Sequence, residues 1–170
     1  MANEKVLNQV SEVVKSFPHS RDHTLWRARS IEQIIQDKSS TGCTDDALLF
    51  KHFASFVRIP VVYVETVEKS WLERLGTRNP FPIEGHVFCD ATLGCDIVVP
   101  VDPRHGKTEI IEGYYIRDPK GARVKYEVLG KGPDYTQIHL REGDNFEESA
   151  TRLITEKNIM QAVYKVFKKK

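Results

Sequence analysis

At 170 residues the chain suits one domain with a sizeable core, so residues 1–170 read as a single unit. Charged residues make up 29% with a formal net charge of +1, so no strong field points to nucleic acid or a membrane surface, and the 40% apolar content argues against disorder. No apolar run is long enough to span a bilayer, no signal pattern follows Met1, and three cysteines leave one unpaired within the chain; together these fit a reducing, cytoplasmic compartment.

In chain order, Val6, Leu7, Val10, Val13 and Val14 recur at helical spacing and predict a helix over residues 3–16, ending near Phe17-Pro18. After a turn at residues 18–22, Thr24 caps a second helix to about Asp37, with Leu25, Trp26, Ala28, Ile31, Ile34 and Ile35 as its apolar positions. The stretch that follows, Thr41-Gly42-Cys43-Thr44-Asp45-Asp46-Ala47-Leu48-Leu49-Phe50, opens a third helix running to about Arg58. Gly42 allows a sharp turn, and Asp45 and Asp46 complement the helix dipole in its first turn. The apolar face runs through Ala47, Leu48, Leu49, Phe50, Phe53, Ala54, Phe56 and Val57, as in a helix buried at a domain centre. A thiol in that first turn is chemically distinctive: unpaired N–H groups at a helix start favour an anion, and the thiolate is the nucleophilic form.

Ile59-Pro60 ends the helix, and Val61, Val62, Tyr63 and Val64 read as a strand covered on both faces. Residues 65–76 read as a short helix or irregular connection holding Trp71 and Leu75, and residues 77–82 as a Pro-rich loop that either lines a substrate site or simply connects. From Glu84 the period becomes two. Residues 86–91 and 96–102 predict a hairpin looped at Leu93–Cys95, which sets Val87 opposite Val101, Cys89 opposite Val99 and Ala91 opposite Ile97 on one apolar face. The other face then sets His86 opposite Asp102, with Cβ atoms ~5 Å apart, within hydrogen-bonding reach. Asp90 shares that face and is the alternative partner for His86. Further strands are expected at residues 108–117, 122–129 and 136–140, with turns at Asp118-Pro119-Lys120-Gly121 and Gly130-Lys131-Gly132-Pro133, and a closing helix at residues 146–167.

Helices first, Gly-Cys opening a central helix, then His and Asp on successive strands: this order resembles the transglutaminase-like superfamily, a branch of the papain-like cysteine enzymes. Gly42-Cys43 through Arg58-Ile59-Pro60 is similar to the family's nucleophile helix and its exit, Gly85-His86-Val87-Phe88 to its His strand, and Val101-Asp102-Pro103 to its Asp-Pro end. The likeness covers roughly residues 24–105. Phe88 stands where the family often has Trp, and Arg104 where it usually has Thr. The resemblance implies an α+β fold of the papain-like, transglutaminase-core type: N-terminal helices, a central nucleophile helix packed on an antiparallel sheet, and a C-terminal helix.

It also implies a catalytic triad in which Cys43 is the nucleophile, His86 takes and returns the proton, and Asp102 orients the imidazole. The Cys43 N–H would be one oxyanion donor; Trp26, Gln33 and Gln36 are candidates for a second. The reaction is then acyl transfer from a peptide or protein amide through a thioester, a protease or amidase reaction with water as acceptor and a transglutaminase reaction with an amine. No cofactor or metal is called for, and neither nucleic acid nor membrane is expected as partner. Two other classes remain open: a non-catalytic binding module on the same fold, and a zinc protein using His86, Cys89 and Cys95, with His105, although that spacing fits no standard zinc module and Cys89 is most simply core.

Overall fold

The helical spacing of Leu7, Val10 and Val14 does form a helix, α1 (Ala2–Lys15), with all three side chains buried. The computed structural model describes residues 2–25, 27–74, 85–107, 114–117 and 120–135. Among these are α2 (Ile31–Asp37), α3 (Cys43–Phe56), β1 (Val61–Glu68), α4 (Lys69–Arg74), β2 (Gly85–Leu93), β3 (Ile97–Asp102), β4 (Gly106–Lys107), β5 (Tyr114–Arg117) and β6 (Arg123–Gly132). The fold is therefore α+β. The strands form one sheet in the order β4-β3-β2-β1-β6-β5, and every neighbouring pair is antiparallel.

The core lies between the helices and one face of this sheet. Leu49, Phe50 and Ala54 of α3 pack with Leu7 and Val14 of α1, Ile34 of α2, and Tyr63, Val87, Cys89, Ala91 and Val101 of the strands. The alternation expected for the hairpin is thus realised: Val87, Cys89, Ala91, Val99 and Val101 all face the helices. On the opposite face Val64, Phe88 and Tyr114 form a second cluster with Ile116, Tyr126 and Val128.

Several expectations are corrected. The second helix is shorter than its apolar spacing suggests. Asp22 accepts from the Thr24 N–H and hydroxyl, residues 23–25 make a single tight turn, and Arg27 adopts a left-handed φ of 56° that no helix continues through. Helix α2 starts instead at Ser30, whose hydroxyl accepts from the Gln33 N–H while the Gln33 side chain accepts from the Ser30 N–H, a reciprocal cap. Helix α3 stops at Phe56 because Arg58 turns left-handed (φ 58°) and the N–H of Ile59 bonds back to the Ala54 carbonyl. Phe56, the last residue of the helix, and Val57, just past it, are exposed and not part of the expected buried face.

The β2–β3 register also differs. Cys89 pairs with Val101, Ala91 with Val99 and Leu93 with Ile97, two residues from the expected pairing. The loop occupies Gly94–Asp96, because Cys95 (φ 65°) and Asp96 (φ 60°) take the left-handed conformations of the turn. A two-residue step preserves which face each side chain occupies, so the apolar pattern alone could not distinguish the registers. Strand β1 continues through Glu68, and β6 runs through the Gly130-Lys131-Gly132 segment expected as a turn, because a bulge between Glu65 and Thr66 lets β1 keep pairing as far as Gly132. The long strand expected at residues 108–117 is seen as β5 at its C-terminal end, residues 108–113 not being described. The loop at 77–82, the strand at 136–140 and the closing helix at 146–167 lie outside the described residues.

Candidate active site

Cys43 is the first residue of α3, directly after Gly42, whose φ of 136° and ψ of −157° suit glycine. Gly42 supplies no side-chain cap, so the first N–H groups of α3 have no partner from it or from within the helix. The helix start is held from two sides. Asp45 accepts from Arg29 Nη2 (2.6 Å), the Thr41 N–H (2.8 Å) and the Thr41 hydroxyl (2.8 Å), while Arg29 also donates to Asp37 (2.8 Å). Asp46 accepts two bonds from Arg104, each 2.8 Å, and lies 3.1 Å from His19 Nε2.

His86 enters from β2 at the open end of the β2–β3 ladder, whose pairing runs from Leu93 down to Cys89. Its backbone is fixed by β1: it pairs with Thr66, and the Thr66 hydroxyl donates to the His86 carbonyl (2.8 Å). Its ring lies edge-on to Phe88, 4.8 Å between centroids, and 5.7 Å from Tyr126. Asp102 ends β3. Because of the shifted register it is diagonal to His86 rather than opposite, yet the side chains meet, with His86 Nε2 3.0 Å from Asp102 Oδ2. This leaves Nδ1 as the ring nitrogen not engaged by Asp102, and the Cys43 side chain lines the same cleft. The other oxygen of Asp102 accepts from the N–H groups of Arg104 (3.0 Å) and His105 (3.1 Å) and lies 3.1 Å from His105 Nδ1.

Cys43, His86 and Asp102 share one cleft of about 270 Å³, with His19, Asp46 and Arg104 on its wall and Pro103 and His105 at the turn after β3. The His86 side chain keeps 19% of its surface exposed, and that of Asp102 3%. Burial works against an imidazolium, but the hydrogen bonds to Asp102 and Cys43 and the charges of both outweigh it and push the His86 pKa up to about 9. Burial likewise raises the Asp102 carboxyl, and the hydrogen bond and charge of His86, the charge of His105 and the Arg104 N–H together bring it below the usual carboxylate range. Beneath the cleft Glu65 is buried, accepting from Arg27 (2.6 Å) and the Tyr63 hydroxyl (2.9 Å). Desolvation pushes its carboxyl up despite the pull of Arg27, Tyr63 and His86.

The other sequence candidates fall elsewhere. Asp90, the alternative partner for His86, accepts instead from the Tyr114 hydroxyl (2.6 Å) and Lys131 Nζ. Cys89 is fully buried, its thiol 3.7 Å from the Ala47 carbonyl, and Cys95 is exposed in the hairpin turn. Among the described residues no three or more His, Cys, Asp or Glu side chains gather as a metal site. Gln33 serves the α2 cap, and neither it nor Gln36 lines the cleft; Trp26 is outside the described residues. Sequence reasoning missed Arg104, His19 and the role of Asp46. The first is an Arg directly after Asp-Pro, and no pattern in the sequence links it to Asp46, which it bonds across the fold.

Comparison of the chain with protein-family models, with curated proteins and with solved structures finds no match. Among the described residues no helix is long and apolar enough to cross a membrane.

Proposed function

We propose that the chain is a cysteine-dependent acyl-transfer enzyme acting on peptide or protein amides, with a papain-like, transglutaminase-type core. The observation that carries this reading is the single cleft shared by Cys43, His86 and Asp102, in which one imidazole lies 3.0 Å from a buried carboxylate and shares the cleft lining with a helix-start thiol. Nucleophile, base and orienting group in that chain of contacts form the arrangement that activates a weak nucleophile.

In this mechanism Asp102 holds His86 as an imidazolium beside the Cys43 thiolate. The sulfur attacks the amide carbonyl carbon, and the resulting oxyanion points at the Cys43 N–H at the start of α3. The carbon–nitrogen bond breaks as His86 gives its proton to the departing amine, leaving a thioester on Cys43. His86, now neutral, removes a proton from water or from an acceptor amine. That nucleophile attacks the thioester carbon, the carbon–sulfur bond breaks, and the products are a carboxylic acid or a new amide and the restored thiolate–imidazolium pair.

Hydroxylamine tests both branches at once, because it intercepts a thioester whether water or an amine is the normal acceptor. With a peptide library and hydroxylamine, the wild type is expected to yield peptidyl hydroxamates, and Cys43→Ala and His86→Ala none, while circular dichroism shows both variants folded. Undiminished turnover by Cys43→Ala contradicts the mechanism.

A further inference from the structure

Arg104 stands where the resembled family usually has Thr, and it grips two parts of the site from opposite ends. Its side chain donates from Nε to Asp46 Oδ2 and from Nη2 to Asp46 Oδ1, each at 2.8 Å. Nη2 also reaches the Phe17 carbonyl (3.0 Å) and the Ser40 hydroxyl (3.2 Å). Its backbone N–H donates to Asp102 Oδ1 (3.0 Å), on the carboxylate that holds His86. Asp46 is in the first turn of α3, and its side chain is 4% exposed against 21% for Arg104.

We propose that Arg104 is a positioning residue that sets the approach of the Cys43 thiol to the His86 imidazole by clamping the first turn of α3 to the turn after β3. The inference rests on the acyl-transfer reading above. The chain itself gives no such constraint, since α3 and the Asp102 turn are joined through β1, α4, β2 and β3. On the far side, Arg29 and Thr41 tie the adjacent Asp45 toward α2. Successive carboxylates thus fix the helix start from two directions, and among the described residues the Arg104 arm is the side-chain hydrogen-bond link from this first turn to the Asp102 turn, alongside the apolar packing of α3 on the sheet. A planar guanidinium making two parallel bonds fixes orientation as well as distance, which an ammonium cannot do.

The effect on His86 separates positioning from simple charge. The imidazole is faced by Asp102 from β3, Cys43 from α3 and Glu65 from β1, with the rings of Phe88 and Tyr126 beside it. All of these remain in Arg104→Ala. Loss of a nearby cation alone would raise the imidazole titration midpoint, whereas retreat of the Cys43 thiolate lowers it.

The test follows the His86 ring by NMR titration and the carboxamidomethylation of Cys43 by iodoacetamide, relative to exposed Cys95, in the full chain. Arg104→Ala is expected to lower the His86 midpoint and to slow Cys43 at pH 6.5 by ~10-fold or more, since a misplacement of about 1 Å is costly to a reacting pair. Arg104→Lys, which keeps the charge and loses the fork, falls between wild type and Arg104→Ala. If Arg104→Ala does not fold, the paired variant Asp46→Asn, Arg104→Gln leaves neither charge buried alone and is judged by the same two readouts. A midpoint that is unchanged or raised, with the Cys43 rate preserved, overturns the inference. A wild type in which Cys43 reacts no faster than Cys95 overturns the acyl-transfer reading instead, so the two failures are distinguishable.

Discussion

Asp102 works at the limit of what a carboxylate can accept. His86 occupies one oxygen, and the N–H groups of Arg104 and His105 and the His105 ring crowd the other. The bonds from the turn fix the carboxylate; the bond to His86 transmits that fixity to the imidazole and supports its positive charge. Asp102→Asn keeps the shape and removes the charge. We expect it to move the His86 titration midpoint from about 9 down toward the ordinary value of about 6.5. Hydroxamate formation should fall on the order of 100-fold or more, and its alkaline limb, which reports loss of the imidazolium, should move to lower pH. A limb that stays in place in Asp102→Asn would mean that His86 owes its charge to something other than this carboxylate. At this scale the sequence was legible in part. Cys43, His86 and Asp102 could be named because a thiol at a helix start and a His and Asp on one strand face each carry a local signature. Arg104, Asp46 and His19 could not, because what makes them matter is a contact between segments that no periodicity links.

At the scale of elements the placement of Cys43 depends on how α3 begins. A Cβ at Gly42 would meet no atom within 4 Å, so space does not demand glycine there; its φ of 136° does. Gly42→Ala is therefore expected to cost about 1–3 kcal/mol through backbone strain alone, read as a lowered urea midpoint with an unchanged slope. It should also slow alkylation of Cys43, because the strain is relieved by moving the first turn of α3. Full stability in Gly42→Ala would show that the turn has another conformation open to it. The element scale also shows what patterning can and cannot fix. Alternation in β2 and β3 assigned each side chain to the correct face and brought His86 to Asp102, but left the pairing two residues off. The left-handed turn at Cys95 and Asp96 decides the register, and neither residue is the glycine that usually announces such a turn. In the same way, the apolar run from Leu25 to Ile35 suggested one helix because period outweighed the Ser30–Gln33 cap in the middle of it.

For the whole molecule, the charge state of the site should be visible in its global stability. The His86 pKa is raised on folding, so its contribution is complete below about pH 6.5 and is lost as pH rises through about 9. The Asp102 carboxyl is lowered, so its contribution is present above its ordinary value and is lost as pH falls through the folded one. Stability should therefore fall on both sides of the neutral range. The alkaline loss is on the order of 3 kcal/mol and follows from the raised His86 pKa, so His86→Ala should flatten it. A urea midpoint independent of pH between 6.5 and 9.5 would contradict the charged pair. The fold class was also legible at this scale, since helical spacing followed by period-two alternation specifies helices on a sheet. The order β4-β3-β2-β1-β6-β5 was not, because strand adjacency is set by tertiary pairing rather than by any single strand.

The most direct measurement is the rate at which iodoacetamide alkylates each cysteine, resolved by mass spectrometry at pH 6.5, in the wild type and in His86→Ala. Cys43 is expected to react many times faster than exposed Cys95 in the wild type and to lose that advantage in His86→Ala, with buried Cys89 unreactive in both. Equal rates at Cys43 and Cys95, or a Cys43 advantage that survives the loss of His86, would contradict the thiolate–imidazolium pair.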